Sequence, residues 1–85
     1  MRFKDRVALV TGGGRGIGAA TARLFAAEGA RVAVSDLDEV PAKEVAGPLG
    51  GLAIACDVSN REDVEAMVAL TVEQLGRLDV LVTCA

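Results

Sequence analysis

Four consecutive apolar residues, Val7-Ala8-Leu9-Val10, run into Thr11 and then into a loop with five glycines in seven residues, giving VALVTGGGRGIG from Val7 to Gly18. The apolar run predicts a strand buried on both faces, and the residues beyond Gly16 (Ile17, Ala19, Ala20, Ala22, Leu24, Phe25) predict a helix. The glycines therefore fall at a strand-to-helix turn. The first turn of a helix has backbone N–H groups without intrahelical partners and carries the positive end of the helix dipole, so it attracts an anion, usually phosphate. Glycine serves such a turn in two ways: it tolerates positive φ, and its missing Cβ lets a pyrophosphate or a neighbouring backbone come close. A side chain at Gly12, Gly16 or Gly18 is expected to obstruct one or the other.

Spacing narrows the kind of phosphate loop. No lysine followed by a hydroxyl residue stands where a triphosphate-binding G-x-x-x-x-G-K-[ST] loop needs it. The dinucleotide pattern G-x-G-x-x-G/A fits loosely at Gly14, Gly16 and Ala19. A better description is T-G-x-x-x-G-x-G, with Thr11, Gly12, Gly16 and Gly18 fixed and Gly13, Gly14 and Arg15 as the variable middle.

The rest of the chain alternates strands and helices. The pattern predicts strands over 6–11, 31–35, 52–56 and 78–83, and helices over 16–28, 39–46 and from a Ser59-Asn60-Arg61-Glu62 capping box to about residue 75. Gly29 is the expected helix-ending residue, Asp38 the expected N-cap of the second helix, and Val64, Met67, Val68, Thr71, Val72 and Leu75 the expected apolar face of the third. This β-α-β-α-β-α-β order implies an α/β fold, a doubly wound parallel sheet of Rossmann type with strand order 3-2-1-4. In such a sheet ligands bind at the carboxyl ends of the strands.

Composition bounds the alternatives. At 85 residues the chain is one unit at most, yet it is 52% apolar with a mean hydropathy of +0.41, the composition of a larger protein's interior. A net charge of −3 leaves no basic patch for nucleic acid or an anionic membrane, and no run is long enough to span a bilayer, so the expected address is the cytoplasm. Cys56 and Cys84 are too few and too far apart for a disulfide scaffold or zinc site and read as small buried strand residues, and there is no histidine.

Two further motifs stand at strand ends. Asp36 follows Gly18 by eighteen residues, close to the offset at which a carboxylate accepts the hydroxyls of an adenosine ribose, although a turn aspartate would also stand there. Leu37 comes next, where a 2′-phosphate would call for arginine. Asp57-Val58 ends the third strand, and Leu78-Asp79-Val80-Leu81-Val82-Thr83-Cys84-Ala85 closes the chain. Taken with T-G-x-x-x-G-x-G, these segments resemble the short-chain dehydrogenase/reductase family over the whole chain.

The resemblance implies a nicotinamide dinucleotide partner held by Thr11, Gly12, Gly14, Arg15, Gly16, Ile17, Gly18, Asp36, Leu37, Asp57, Val58 and Ala85. Asp57 would accept from the adenine amino group while Val58 N–H donates to the ring; without the resemblance, Asp57 is a turn residue before Ser59. Arg15 either approaches the adenosine and phosphates or faces solvent. NAD is the expected cofactor and NADP the less favoured one. Thr83 and Cys84 replace the two asparagines of the family's N-N-A-G segment. The family's serine and Tyr-x-x-x-Lys pair are missing, and the sequence has no tyrosine. The expectation is thus that residues 1–85 are the N-terminal part of one dinucleotide-binding domain, from an oxidoreductase acting on a small alcohol or carbonyl and assembling as a homo-oligomer. A stand-alone, non-catalytic nucleotide-binding module is the alternative.

Overall fold

The computed structural model describes residues 2–84, with β1 (Val7–Thr11), α1 (Gly16–Ala27), β2 (Arg31–Asp36), α2 (Glu39–Ala46), a 3₁₀ turn (Gly47–Leu49), β3 (Leu52–Ala55), α3 (Arg61–Leu75) and β4 (Val80–Thr83). The four strands form one parallel sheet in the order β3-β2-β1-β4. The expected topology is the observed one. β1 lies between two neighbours and is buried along its whole length, which is why it needs apolar residues at both odd and even positions.

The two faces of the sheet are covered differently. Ala8, Val10, Val32 and Val34 pack against Ala19 and Ala22 of α1 and Ala42, Val45 and Ala46 of α2. Alanines at these helix positions let the backbones approach the sheet closely. On the other face Leu9, Ala33, Ile54 and Cys56 meet α3, which contributes Met67, with Val64, Val68 and Leu75 partly buried around it. Val72, expected on that apolar face, is 42% exposed, and Leu81 on β4 is 51% exposed.

Local signals decide the element ends. α1 closes in a Schellman motif: Gly29 N–H donates to Ala26 O, Ala30 N–H donates to Phe25 O, and Gly29 has φ +95°. Asp38 caps α2 by accepting from Val40 N–H, as expected. The Ser59 capping box does not form. The Ser59 N–H and hydroxyl both turn back to donate to Asp57 Oδ1, at 2.9 and 2.6 Å, and Asn60 becomes the cap by accepting from Asp63 N–H at 3.0 Å. Three strands are shorter than expected, since β1 begins at Val7, β3 stops at Ala55 and leaves Cys56 just past its end, and β4 begins at Val80, whereas β2 runs on to Asp36.

The amino end of the sheet is held by Asp79. Its Oδ2 accepts the Val7 N–H at 2.8 Å, and its Oδ1 accepts from Arg77 Nε and Nη2 at 3.0 and 2.7 Å. The Asp79 N–H donates in turn to Val7 O at 2.9 Å. The Val7 N–H first, and then Arg77, hold the Asp79 carboxyl below the usual carboxylate range. A depressed carboxyl pKa adds stability above its unfolded value, near pH 4, and that stability is lost as pH falls through the lower folded value. Asp79→Asn should therefore unfold at lower urea than the parent chain at neutral pH, with the difference shrinking as the buffer is taken below about pH 4. A difference independent of pH would contradict this.

Candidate dinucleotide-binding site

β1 ends at Thr11, whose Oγ1 lies 3.4 Å from Val82 O on β4. The chain then turns sharply. Gly12 has φ +66°, and a Cβ there would overlap the Cys84 carbonyl. Gly13 N–H donates to Ser35 O at 2.9 Å, tying the loop to β2. Gly18, in the first turn of α1, is packed so that a Cβ would overlap the Gly12 carbonyl. Gly12 and Gly18 thus need glycine for close approach. Gly16 needs it for backbone conformation alone, since its φ is +52° and no neighbour approaches its Cβ position.

α1 begins without a side-chain cap. Arg15 occupies the N-cap position in extended conformation, makes no capping bond, and no acidic residue lies in the first turn. The orphan N–H groups and the positive dipole end therefore have no side-chain acceptor, a condition that suits an external anion.

Beside the loop, a cavity of about 480 Å³ opens at the carboxyl ends of all four strands. Among the expected site residues, Thr11, Gly12, Asp36, Leu37, Asp57 and Val58 line it together. Leu37 and Val58 are 72% and 62% exposed, two apolar side chains at the lip that water leaves unsatisfied. Gly14 joins through its N–H, which donates to Asp36 Oδ2 at 3.1 Å, while Leu37 N–H donates to Asp36 Oδ1 at 2.8 Å. Arg15, Gly16 and Ile17 do not line the cavity; they are exposed at the start of α1, Ile17 to 80%. Ala85 lies outside the described residues.

Asp57 lies two residues past the end of β3, and its carboxylate is already half engaged. Ser59 donates twice to Oδ1, through its hydroxyl and its N–H, and holds the Asp57 carboxyl below the usual range. Its own N–H donates to Asp63 Oδ2 at 3.1 Å. Sequence reasoning passed over Ser35, Cys56, Thr83 and Cys84, which also line the cavity. Ser35 is wholly buried, and its hydroxyl has no hydrogen-bond partner among the described residues. Its signal was parity, since Ser35 pairs with Thr11, which pairs with Thr83, and these put hydroxyls in one row across the sheet. Cys56 is buried as expected, and burial first, then the nearby Asp63 charge, pushes its thiol up, which makes it a poor nucleophile. Cys84 is only partly buried.

A family model described as short chain dehydrogenase matches residues 6–85. The chain belongs to that family. It is 52% identical over 80 residues to a short-chain dehydrogenase reductase of Arabidopsis thaliana, covering 94% of this chain and 29% of that protein. It is 44% identical to the L-fucose dehydrogenase of Bos taurus, covering 99% of this chain and 32% of that protein. Among solved structures, a 3-ketoacyl-(acyl-carrier-protein) reductase from Brucella melitensis, complexed with NADH, superposes with a TM-score of 0.90 at 41% identity over 93% of this chain and 34% of that one. A hydroxysteroid dehydrogenase from Escherichia coli gives a TM-score of 0.87 at 37% identity over 96% of this chain and 37% of that one. This short-chain dehydrogenase chain thus spans about a third of the length of the relatives it matches. No helix among its described residues is long and apolar enough to cross a membrane.

The glycines separate cleanly by what replaces them. Gly12→Ala meets both a left-handed backbone, which costs an alanine about 1–2 kcal/mol, and the Cys84 carbonyl; Gly16→Ala meets the backbone term alone. Thermal unfolding should show Gly12→Ala to be the more destabilised of the two. Equal losses would mean that the loop and β4 are not packed together as described.

Proposed function

We propose that this chain is the N-terminal, cofactor-binding part of an oxidoreductase that transfers hydride between a nicotinamide cofactor and an alcohol or carbonyl substrate. The observation that carries the reading is the Asp36 carboxylate, held beside the glycine loop by the Gly14 N–H and set at the lip of the cavity next to the uncapped start of α1. A dinucleotide has complementary parts: a pyrophosphate for the helix start, ribose hydroxyls for a carboxylate, and a flat adenine for apolar walls. The residues present fit it. Gly12 and Gly18 keep the turn clear, and Leu37 and Val58 offer apolar contact. The NADH held by the Brucella reductase supports the same class of ligand.

When bound, the nicotinamide supplies the hydride chemistry; this chain supplies binding and orientation. Thr11, Gly12, Gly14, Gly16 and Gly18 shape the phosphate turn, and Arg15 and Ile17 flank it. Asp57 and Val58 are assigned to the adenine, with Asp57 Oδ2 the oxygen that Ser59 leaves open. Ala85 is assigned to the cofactor by family resemblance alone. A cytosolic location and assembly into a homo-oligomer are part of the proposal.

Two measurements test this reading. The 85-residue chain has no tyrosine or histidine to relay a proton, so with NAD and a panel of secondary alcohols it should produce no NADH while still binding the cofactor. Time-dependent NADH production would refute that part. The second test concerns cofactor choice. Asp36 accepts from ribose hydroxyls but repels a 2′-phosphate, on the order of 4 kcal/mol at about 4 Å before screening. Arg15 is exposed, and an exposed ion pair is typically worth about 0–1 kcal/mol. Calorimetric titration should find NAD bound more tightly than NADP, and Asp36→Ala should narrow the gap chiefly by improving NADP binding. Equal or tighter NADP binding with Asp36 intact would give the choice to Arg15.

A further inference from the structure

The glycine loop, the end of β2 and the first turn of α2 converge on Gly14. Its N–H donates to Asp36 Oδ2 at 3.1 Å, and the other carboxylate oxygen is held by Leu37 N–H at 2.8 Å. A Cβ on Gly14 would stand 2.7 Å from Asp36 Oδ2, 2.7 Å from Pro41 Cβ and 3.0 Å from the Pro41 carbonyl carbon. Gly14 has no positive φ to account for a glycine there. What excludes a side chain is the space itself.

The two neighbours, Asp36 and Pro41, differ in how far they can yield. Pro41 is fixed by its ring and by its place in the first turn of α2, which Asp38 caps. The Asp36 side chain is the free end of a rotatable group and can yield, whereas Pro41 cannot, so a methyl at position 14 would turn the carboxylate aside and push the loop back from α2, and either movement parts the Gly14 N–H from Asp36 Oδ2. Repulsion of a 2′-phosphate requires a carboxylate that stays where it is; one that can rotate away no longer discriminates.

We propose that Gly14 is a positioning residue for cofactor choice: by presenting its N–H with no side chain between Asp36 and Pro41, it holds the Asp36 carboxylate at the place where NAD and NADP differ. Asp36 supplies the charge and Gly14 its position. The inference rests on the assignment of Asp36 to the ribose, and the experiment separates the two.

Binding of NAD and of NADP is measured by calorimetry for the unmutated chain, Gly14→Ala, Asp36→Ala and the double variant. Gly14→Ala should reduce the preference for NAD roughly tenfold, the worth of one hydrogen bond to a charged group. Added to Asp36→Ala it should reduce it no further, because both changes act on one contact. A fall in preference with Asp36→Ala but none with Gly14→Ala overturns the positioning role and leaves the ribose assignment standing. No change with Asp36→Ala overturns the ribose assignment and the positioning role with it. A purely structural role for Gly14 would weaken both cofactors alike and leave their ratio unmoved, which also overturns the proposal. Should Gly14→Ala fail to fold, the unmutated chain still decides by NMR. The Gly14 amide proton should shift between the unmutated chain and Asp36→Ala, and an amide indifferent to the loss of that carboxylate overturns the contact on which the proposal stands.

Discussion

Much of this structure depends on one turn in which two glycines replace side chains with backbone contact. Gly12 sits against the Cys84 carbonyl just past β4, and Gly18 against the carbonyl of Gly12 itself. Through these contacts the central strand, the first helix and the end of β4 are set within backbone distance of one another. The result is a helix start that opens beside the carboxyl ends of the strands. A larger residue at either position would push the start of α1 away from the sheet, and the anion-attracting N–H groups would move with it. The same packing thus serves the fold and the site.

The rest of the sheet is arranged around that turn with unequal care. The α1 and α2 face is closed by alanines and valines that leave little exposed, whereas the α3 face is covered by one fully buried apolar side chain, Met67, and a partly buried surround. Thr71, also buried on α3, satisfies its hydroxyl on Met67 O and so does not serve as a polar contact to the sheet. The cavity lies on this thinner side, where Leu81 is half exposed and Ser35 is buried without a partner. Rigid packing holds the loop in place, and looser packing leaves space beside it.

The legible part of this fold was what depends on chain-local chemistry. Buried runs marked the strands, Gly29 marked a helix end with positive φ, and the alternation of elements gave the sheet order. What was not legible depended on competition between neighbours of similar type. Ser59, Asn60, Asp57 and Asp63 can all cap or turn, and only the three-dimensional arrangement shows that Ser59 serves Asp57 while Asn60 serves the helix. Residues recognised as site candidates were those of the glycine loop and the residue pairs that follow the strand ends, such as Asp36-Leu37 and Asp57-Val58. Ser35 and Thr83 were passed over because a hydroxyl inside a strand carries no local signal; its role comes from registration with Thr11 on the neighbouring strand. Gly14 was read as a cofactor contact within the variable middle of the loop, and nothing in the sequence indicates that Pro41, 27 positions later, closes over it.

Two carboxylates at opposite ends of the sheet show how environment rather than residue type assigns a role. Asp79 is 11% exposed in its side chain and is consumed by the protein: a backbone N–H, the Arg77 guanidinium, and Arg6 at 3.6 Å leave it little to offer a ligand. Asp36 forms no ion pair among the described residues; each of its oxygens takes one backbone N–H and retains acceptor capacity toward the cavity. Neutralising a structural carboxylate with arginines strengthens the fold and ends its usefulness in recognition. Leaving the other without a cation keeps its negative charge unopposed, and it is that unopposed charge, held in place by backbone, that can tell a hydroxyl from a phosphate. The sheet thus carries a clamp at its amino end and, at its carboxyl end, a carboxylate whose charge stays free for the role proposed for it, both built from the same side chain.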